Sequence, residues 1–299
     1  MPLRSALAAV LVAVIWGLNF VVIDLGLEGM PPALFVALRF AAVVVPAIFF
    51  VPRPTAQFRD VLLIGVFMSL GQFGLLYTAL AIGMPAGLAS LVLQAQVVFT
   101  VLFAALTLRE MPTRHQLVGV AIGAVGLVVV GSGRGVDTPA LAFIVTLAAA
   151  ASWALGNVVA RRIGRTSTSS APLAGLSLTV WSGLVVPVPM VLLALVLDGP
   201  DAVGFALTHL TIPQLLSTAY TAWLASLVGY GIWNTLLARH AASAVVPFTM
   251  LVPVVGMVTA WLVLAEIPTP AEAGGGAMLL LGVAITTGIL RRRRGRAPS

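Results

Sequence analysis

Arg39 is the one charged side chain that falls well inside an apolar run of this chain, where an arginine costs about 2.5–3.5 kcal/mol on membrane-insertion scales. Such a group calls for a partner. A guanidinium matches a carboxylate with two parallel hydrogen bonds, so one reading is a clamp for the carboxylate of a small solute. The other is structural: an ion pair with Asp24 or Glu28, or snorkelling to the surface, since Arg39 lies only about two turns into its segment. Amides and indoles recur around it. Trp16, Asn19, Phe20 and Ile23 are spaced to share one helix face, and Trp153 with Asn157 repeats the pattern. Pointing inward, each pair lines a cavity with apolar walls and a hydrogen-bonding amide; in the alternative, each asparagine bonds a carbonyl of a packed neighbour. Gln94 and Gln96 project about 200° apart on a regular helix, so one of them, here taken as Gln94, faces a given site unless the helix is broken. Gln72 sits mid-segment on the same terms. Of the later aromatics, Trp181, Trp223 and Tyr230 are assigned to the walls of a solute path, and Tyr220 and Trp233 to an interfacial belt. The candidate substrate-binding set is therefore Trp16, Asn19, Arg39, Gln72, Gln94, Trp153, Asn157, Trp181, Trp223 and Tyr230. No catalytic pair, phosphate loop or metal-ligand cluster accompanies them, which argues against an enzyme, an ATP-driven pump or a bound cofactor.

Helices in a bilayer must position these residues. Of the 299 residues, 60% are hydrophobic and 8% charged, against roughly 25% charged in ordinary soluble domains. Apolar segments fall roughly at 5–24, 33–51, 61–82, 86–108, 116–131, 139–160, 172–197, 212–236, 243–264 and 271–290, joined by short connections. The first is too long for the apolar core of a signal peptide and reads as a spanning helix. Thr113 to Gln116 and Thr269 to Glu272 read as capping boxes, and Thr138-Pro139 and Ser170-Ala171-Pro172 as two further helix starts. The prolines within segments, at 46, 187, 189, 247 and 253, each free a carbonyl one turn back, Thr249 in the last case.

All 16 basic residues are arginine, and the net charge is +7. With the N-terminus cytoplasmic, all but Arg39 and Arg134 fall on the cytoplasmic side, including the tail 291–299, so both termini are placed there. This distribution marks membrane topology and argues against nucleic acid as a partner. The absence of cysteine rules out disulfide and thiolate chemistry.

Glu110-Met111-Pro112 recurs as Glu266-Ile267-Pro268 after similar apolar runs, half a chain away. Five segments per half is an odd number, so the halves, 1–134 and 135–299, enter the membrane from opposite sides as an inverted repeat. In the first copy Gly83, Gly87, Ser90 and Gln94 form a strip that lets a neighbouring helix approach closely.

Trp16-Gly17-Leu18-Asn19-Phe20, Leu38-Arg39-Phe40 and the two Glu-x-Pro stretches, followed by Gly119 and Gly126 or Gly275 and Gly282, resemble the EamA family of the drug/metabolite transporter superfamily. The resemblance runs from the first segment to the last. It implies an all-α integral membrane protein of ten transmembrane helices in two inverted five-helix repeats, seated in the bacterial inner membrane as a monomer or homodimer. Gly83 to Gln96, Met30-Pro31-Pro32, Gly229 to Trp233 and Leu251 to Gly256 are closer to the exporters of cysteine-pathway metabolites within that family. Gln96 departs from it, standing where many members carry a proline matching Pro253. The expected function is export of a small amino-acid-like solute by alternating access; the rivals are another cargo, such as aromatic amino acids or drugs, and a membrane-embedded enzyme or sensor subunit.

Overall fold

The structure is a computed structural model describing residues 2–133, 138–166, 174–240 and 242–288. Arg134, the helix start at 170–172 and the tail 291–299 lie outside them. Every regular element among the described residues is helical: α1 Leu3–Leu27, α2 Pro32–Ala47, α3 Phe58–Ala81, α4 Ala86–Leu108, α5 Arg114–Gly133, α6 Ala140–Thr166, α7 Gly175–Leu197, α8 Gly199–Thr208, α9 Ile212–Leu236, α10 Leu251–Leu264 and α11 Pro270–Thr286. Seven of these (α1, α3, α4, α5, α6, α7 and α9) are long and apolar enough to cross a membrane, and α2, α10 and α11 are shorter apolar helices. The outward faces stay apolar, with Leu106, Val128, Val196 and Leu262 largely exposed, as a lipid solvent permits.

Local chemistry sets the boundaries. Thr269 and Glu272 close a complete capping box at the start of α11, and so do Thr211 and Gln214 at α9, a box that the hydropathy pattern does not announce. At α5 the Gln116 side chain reaches back to the Thr113 N–H. The break in α7 falls at 184–186, and Pro187 opens its second part, at the position where a missing N–H costs least. One expectation is corrected: 199–208 is a helix, α8, and not a short open connection. Val203 and Ala206 bury one of its faces while Phe205 remains exposed, an alternation too brief to register in a hydropathy profile.

Features 156 residues apart share backbone geometry. Arg109 and Ala265 end α4 and α10 in the left-handed region, φ 53° and 57°, bonding back to the Ala104 and Ala260 carbonyls. For residues with a Cβ that conformation costs about 1 kcal/mol, yet both copies adopt it. Stretches of π-helix interrupt α3 at Gly65–Gly71 and α9 at Tyr220–Val228. A tight turn at Leu93-Gln94 splits α4, and a 3₁₀ segment, Val246–Met250, precedes α10. The α5–α11 interface joins the copies most extensively. A Cβ on Gly126 would stand 2.6 Å from the Gly275 carbonyl oxygen, and one on Gly119 2.6 Å from that of Gly282. As one index rises the other falls, so these two glycine-paired helices run antiparallel.

The bundle has two chemically distinct ends. At one end Arg162 pairs with Asp60, Arg161 meets Glu110 at 2.6 Å, and Ser5 Oγ lies 2.9 Å from His240 Nε2. At the other, Thr269 donates to the Gly133 carbonyl and Gln214 to that of Glu28.

Candidate functional site

Arg39 stands on α2 at 2% exposure. The structure excludes both structural readings of this side chain. It is too buried to snorkel, and among the described residues no carboxylate pairs with it. Its Nη1 donates to the Tyr77 hydroxyl at 3.0 Å and its Nη2 to Ser226 Oγ at 3.2 Å, while its buried Nε has no partner. The guanidinium carbon lies 4.0 Å from the centroid of the Phe73 ring, with Phe40 and Tyr77 further out. Two neutral hydroxyls and aromatic faces hold the cation in place without neutralising it.

The π stretches supply part of this geometry. Within α9 the Ser226 hydroxyl donates five residues back to the Thr221 carbonyl, leaving its lone pairs for Arg39. The Ala225 carbonyl accepts from the Trp16 indole at 2.9 Å. Ser152 of α6 likewise donates to the Phe67 carbonyl in the π stretch of α3. Trp16 then packs, ring centroids 5.1 Å apart, on Tyr230, which is within electrostatic reach of Arg39. Asn19, one turn from Trp16, is buried with its Oδ1 unpartnered. Arg39, Trp16, Tyr230 and Asn19 of the expected set thus gather on α1, α2 and α9.

A second polar cluster lies between α4 and α6. Asn157 Nδ2 donates to Gln96 Oε1 at 2.8 Å, and Trp153 packs half-buried against the main apolar core. Because α4 breaks at Leu93-Gln94, both glutamines find uses: Gln96 takes Asn157, and Gln94 Nε2 lies 3.4 Å from the Thr249 carbonyl that Pro253 frees. Gln72 is buried directly after the α3 π stretch. Trp181 and Trp223 are not brought to either cluster. The Trp181 indole lies 3.4 Å from the Val51 carbonyl and its ring faces Arg53 at the arginine-rich end. Trp223 is 52% exposed, and its indole donates to the Ala42 carbonyl, the one freed by Pro46. Trp233, expected in a belt, is instead 9% exposed and 5.3 Å from Trp16. Tyr220, also expected there, is half-buried and donates to the Ile15 carbonyl. The Trp223 and Trp233 assignments are reversed because the π stretch rotates the faces on either side of it. Tyr77, Phe73 and Ser226 escaped the sequence reading, although Phe73 and Tyr77, like Ser226 and Tyr230, are four apart and share a helix face.

Glu266 joins the two copies at the end opposite the arginines. Its carboxylate accepts the N–H groups of Ala86 and Gly87, both at 2.8 Å, at the N-terminus of α4. Beneath it the expected small-residue strip holds in part: Ser90 packs on Gly256 and Gly87 on Ala260, while Gly83 lies in the preceding turn at φ 96°. Burial holds the Glu266 carboxyl above its ordinary value of 4.5; the two backbone N–H groups oppose that shift, and the charges of Asp24 and Glu272 add to it.

A helical bundle with a buried cation, unsatisfied polar atoms and helix breaks at corresponding positions fits the profile of a membrane transporter. The chain belongs to the EamA-like transporter family, whose model matches it twice, at residues 3–132 and 140–288. It is a multi-pass bacterial inner-membrane exporter, not an enzyme, and carries a small-molecule substrate. It is 42% identical to the "probable amino-acid metabolite efflux pump" of Escherichia coli K12, over 98% of each chain. It is also 31% identical to the "probable terminal-alkyne amino-acid exporter" of Streptantibioticus cattleyicolor, over 98% of this chain and 95% of that one. A solved crystal structure 18% identical in sequence superposes with a TM-score of 0.61, covering 99% of this chain and 100% of its own, and so shares the fold.

Proposed function

We propose that the protein exports small amino-acid-type metabolites of the cysteine or O-acetylserine kind, holding the substrate carboxylate on Arg39. The observation that carries this reading is a guanidinium at 2% exposure with an unpartnered Nε and no carboxylate beside it. A solute carboxylate taking Nε–H and a neighbouring Nη–H in parallel supplies the missing charge and the missing acceptor together. Tyr230 and Trp16 then face the solute's ammonium, and the unpartnered Asn19 Oδ1 is a second acceptor for it. The names of the E. coli and Streptantibioticus relatives favour an amino-acid cargo.

In this reading ten helices cross the membrane as two inverted halves, 1–134 and 135–299, with both termini and the arginine-rich end cytoplasmic, and a single chain is sufficient. The antiparallel α5–α11 pair and the matched helix breaks support the inversion. Glu266 closes the outer end by tying α4 of one half to the α10–α11 corner of the other; releasing it opens the site outward. The aromatic cluster of Trp16, Tyr230 and Trp233 favours one second reading, an amino acid with an aromatic side chain. Proteoliposomes loaded with labelled cysteine, O-acetylserine or phenylalanine separate the two. Protein-dependent flux of either of the first two supports the proposal, and flux of phenylalanine alone overturns the cargo.

A further inference from the structure

At the arginine-rich end a groove of ≈ 380 Å³ opens between the start of α1 and the end of α9. Arg4 and Arg239 stand at its rim with Ser5 and Thr235, and Ala8, Ile232 and Leu236 form its wall. Both arginines are exposed, and among the described residues neither belongs to an ion pair. This contrasts with Arg161 and Arg162 at the same end, which are neutralised by Glu110 and Asp60. The groove therefore holds two uncompensated guanidiniums above an apolar slot that continues along α1, where Leu7 and Leu11 are exposed to hydrocarbon. A free anion would use the cations and leave the apolar wall idle. A lipid uses both.

We infer that this groove is a binding site for an anionic phospholipid, its phosphate between Arg4 and Arg239 and one acyl chain against Ala8, Ile232 and Leu236. Arginine suits the task because its fixed fork of donors fits phosphate oxygens, and a basic pocket between helices is the general form of headgroup recognition. Occupancy ties the first helix to α9, whose other surfaces carry Ser226 and Tyr230, and so couples a lipid to the elements around Arg39. The cargo plays no part in this inference, so neither proposal falls with the other.

The test uses the full chain in detergent, with phosphatidylglycerol, phosphatidylcholine or inorganic phosphate added. Lipids retained are counted by native mass spectrometry, and stabilisation is followed by thermal unfolding. Wild-type protein should retain one phosphatidylglycerol in preference to phosphatidylcholine. R4Q/R239Q should bind it about 30-fold more weakly, whereas R53Q/R114Q, which removes the same charge from the same end, should bind as wild type does. If the first pair fails to fold, Ala8→Phe, which fills the slot and keeps both charges, should give the same loss. Equal retention of phosphatidylcholine, equal weakening in the control pair, or displacement of the lipid by millimolar inorganic phosphate each overturns the inference. Equal stabilisation by inorganic phosphate alone would show a free-anion site in its place.

Discussion

The Glu266 tie sets a population that a single substitution should move. Its carboxylate oxygens each accept a backbone N–H at 2.8 Å, and Ala86 and Gly87 are buried, so Glu266→Ala leaves two N–H groups without partners in this conformation. Hydrogen bonds to a charged group contribute about 1.5–3 kcal/mol each. Half-burying the charge beside Asp24 and Glu272 offsets part of that, as the raised carboxyl pKa records. A net of about 2 kcal/mol remains, so the outer-open population should rise roughly 30-fold. Because the chain contains no cysteine, Ser90→Cys, at a site 1% exposed beneath the tie, reports this directly. Labelling of the introduced thiol by a membrane-impermeant reagent should accelerate about 30-fold in the Glu266→Ala background. Glu266→Gln, which keeps one acceptor, should fall between the two. Unchanged labelling of that thiol in folded Glu266→Ala protein would refute the tie as a gate.

Three further outcomes follow from the same geometry. Since the folded state holds the Glu266 proton more tightly than the unfolded chain, that contribution to stability is fully present below pH 4.5 and is lost as pH rises through the elevated value. Unfolding midpoints measured from about pH 4 to 8 should show this trend in wild type and not in Glu266→Gln. Gly126→Ala places a methyl 2.6 Å from the Gly275 carbonyl and should cost about 1–3 kcal/mol in thermal unfolding, whereas Gly274→Ala, with nothing within 4 Å, should be neutral or gain up to about 1 kcal/mol. Arg39→Gln removes a buried cation that pairs with no protein carboxylate, so folded yield should hold while flux of an amino-acid substrate falls at least roughly tenfold; a loss of yield with normal specific flux would return Arg39 to a structural role.

The sequence carried the helices because a lipid solvent demands long apolar runs, and it carried Arg39 because a charge within such a run stands out. It carried the glycine pairs of α5 and α11 less fully: Gly119 and Gly282 are visible as letters, but their mutual contact is a property of packing. The contents of the site were legible where one helix face held both partners, as with Trp16 and Asn19. They were hidden where the backbone departs from 3.6 residues per turn. The π stretch at Tyr220–Val228 shifts register between Trp223 and Trp233, so the first turns outward and the second inward, contrary to a regular helix. The break at Leu93-Gln94 lets two glutamines expected to compete take separate partners across the two copies. Prolines 46 and 253 marked freed carbonyls in the sequence, but that Trp223 and Gln94 answer them depends on helices far away in the chain.

The central claim is that Arg39 holds a substrate carboxylate, and the most direct measurement compares a transported amino acid with its carboxamide in proteoliposomes containing wild-type or Arg39→Gln protein. Losing the carboxylate removes at least one charge-assisted bond of about 1.5–3 kcal/mol, so wild-type protein should prefer the acid by about 10- to 150-fold, and Arg39→Gln should abolish most of that preference. Equal transport of acid and carboxamide by wild type, or an undiminished preference in Arg39→Gln, would contradict it.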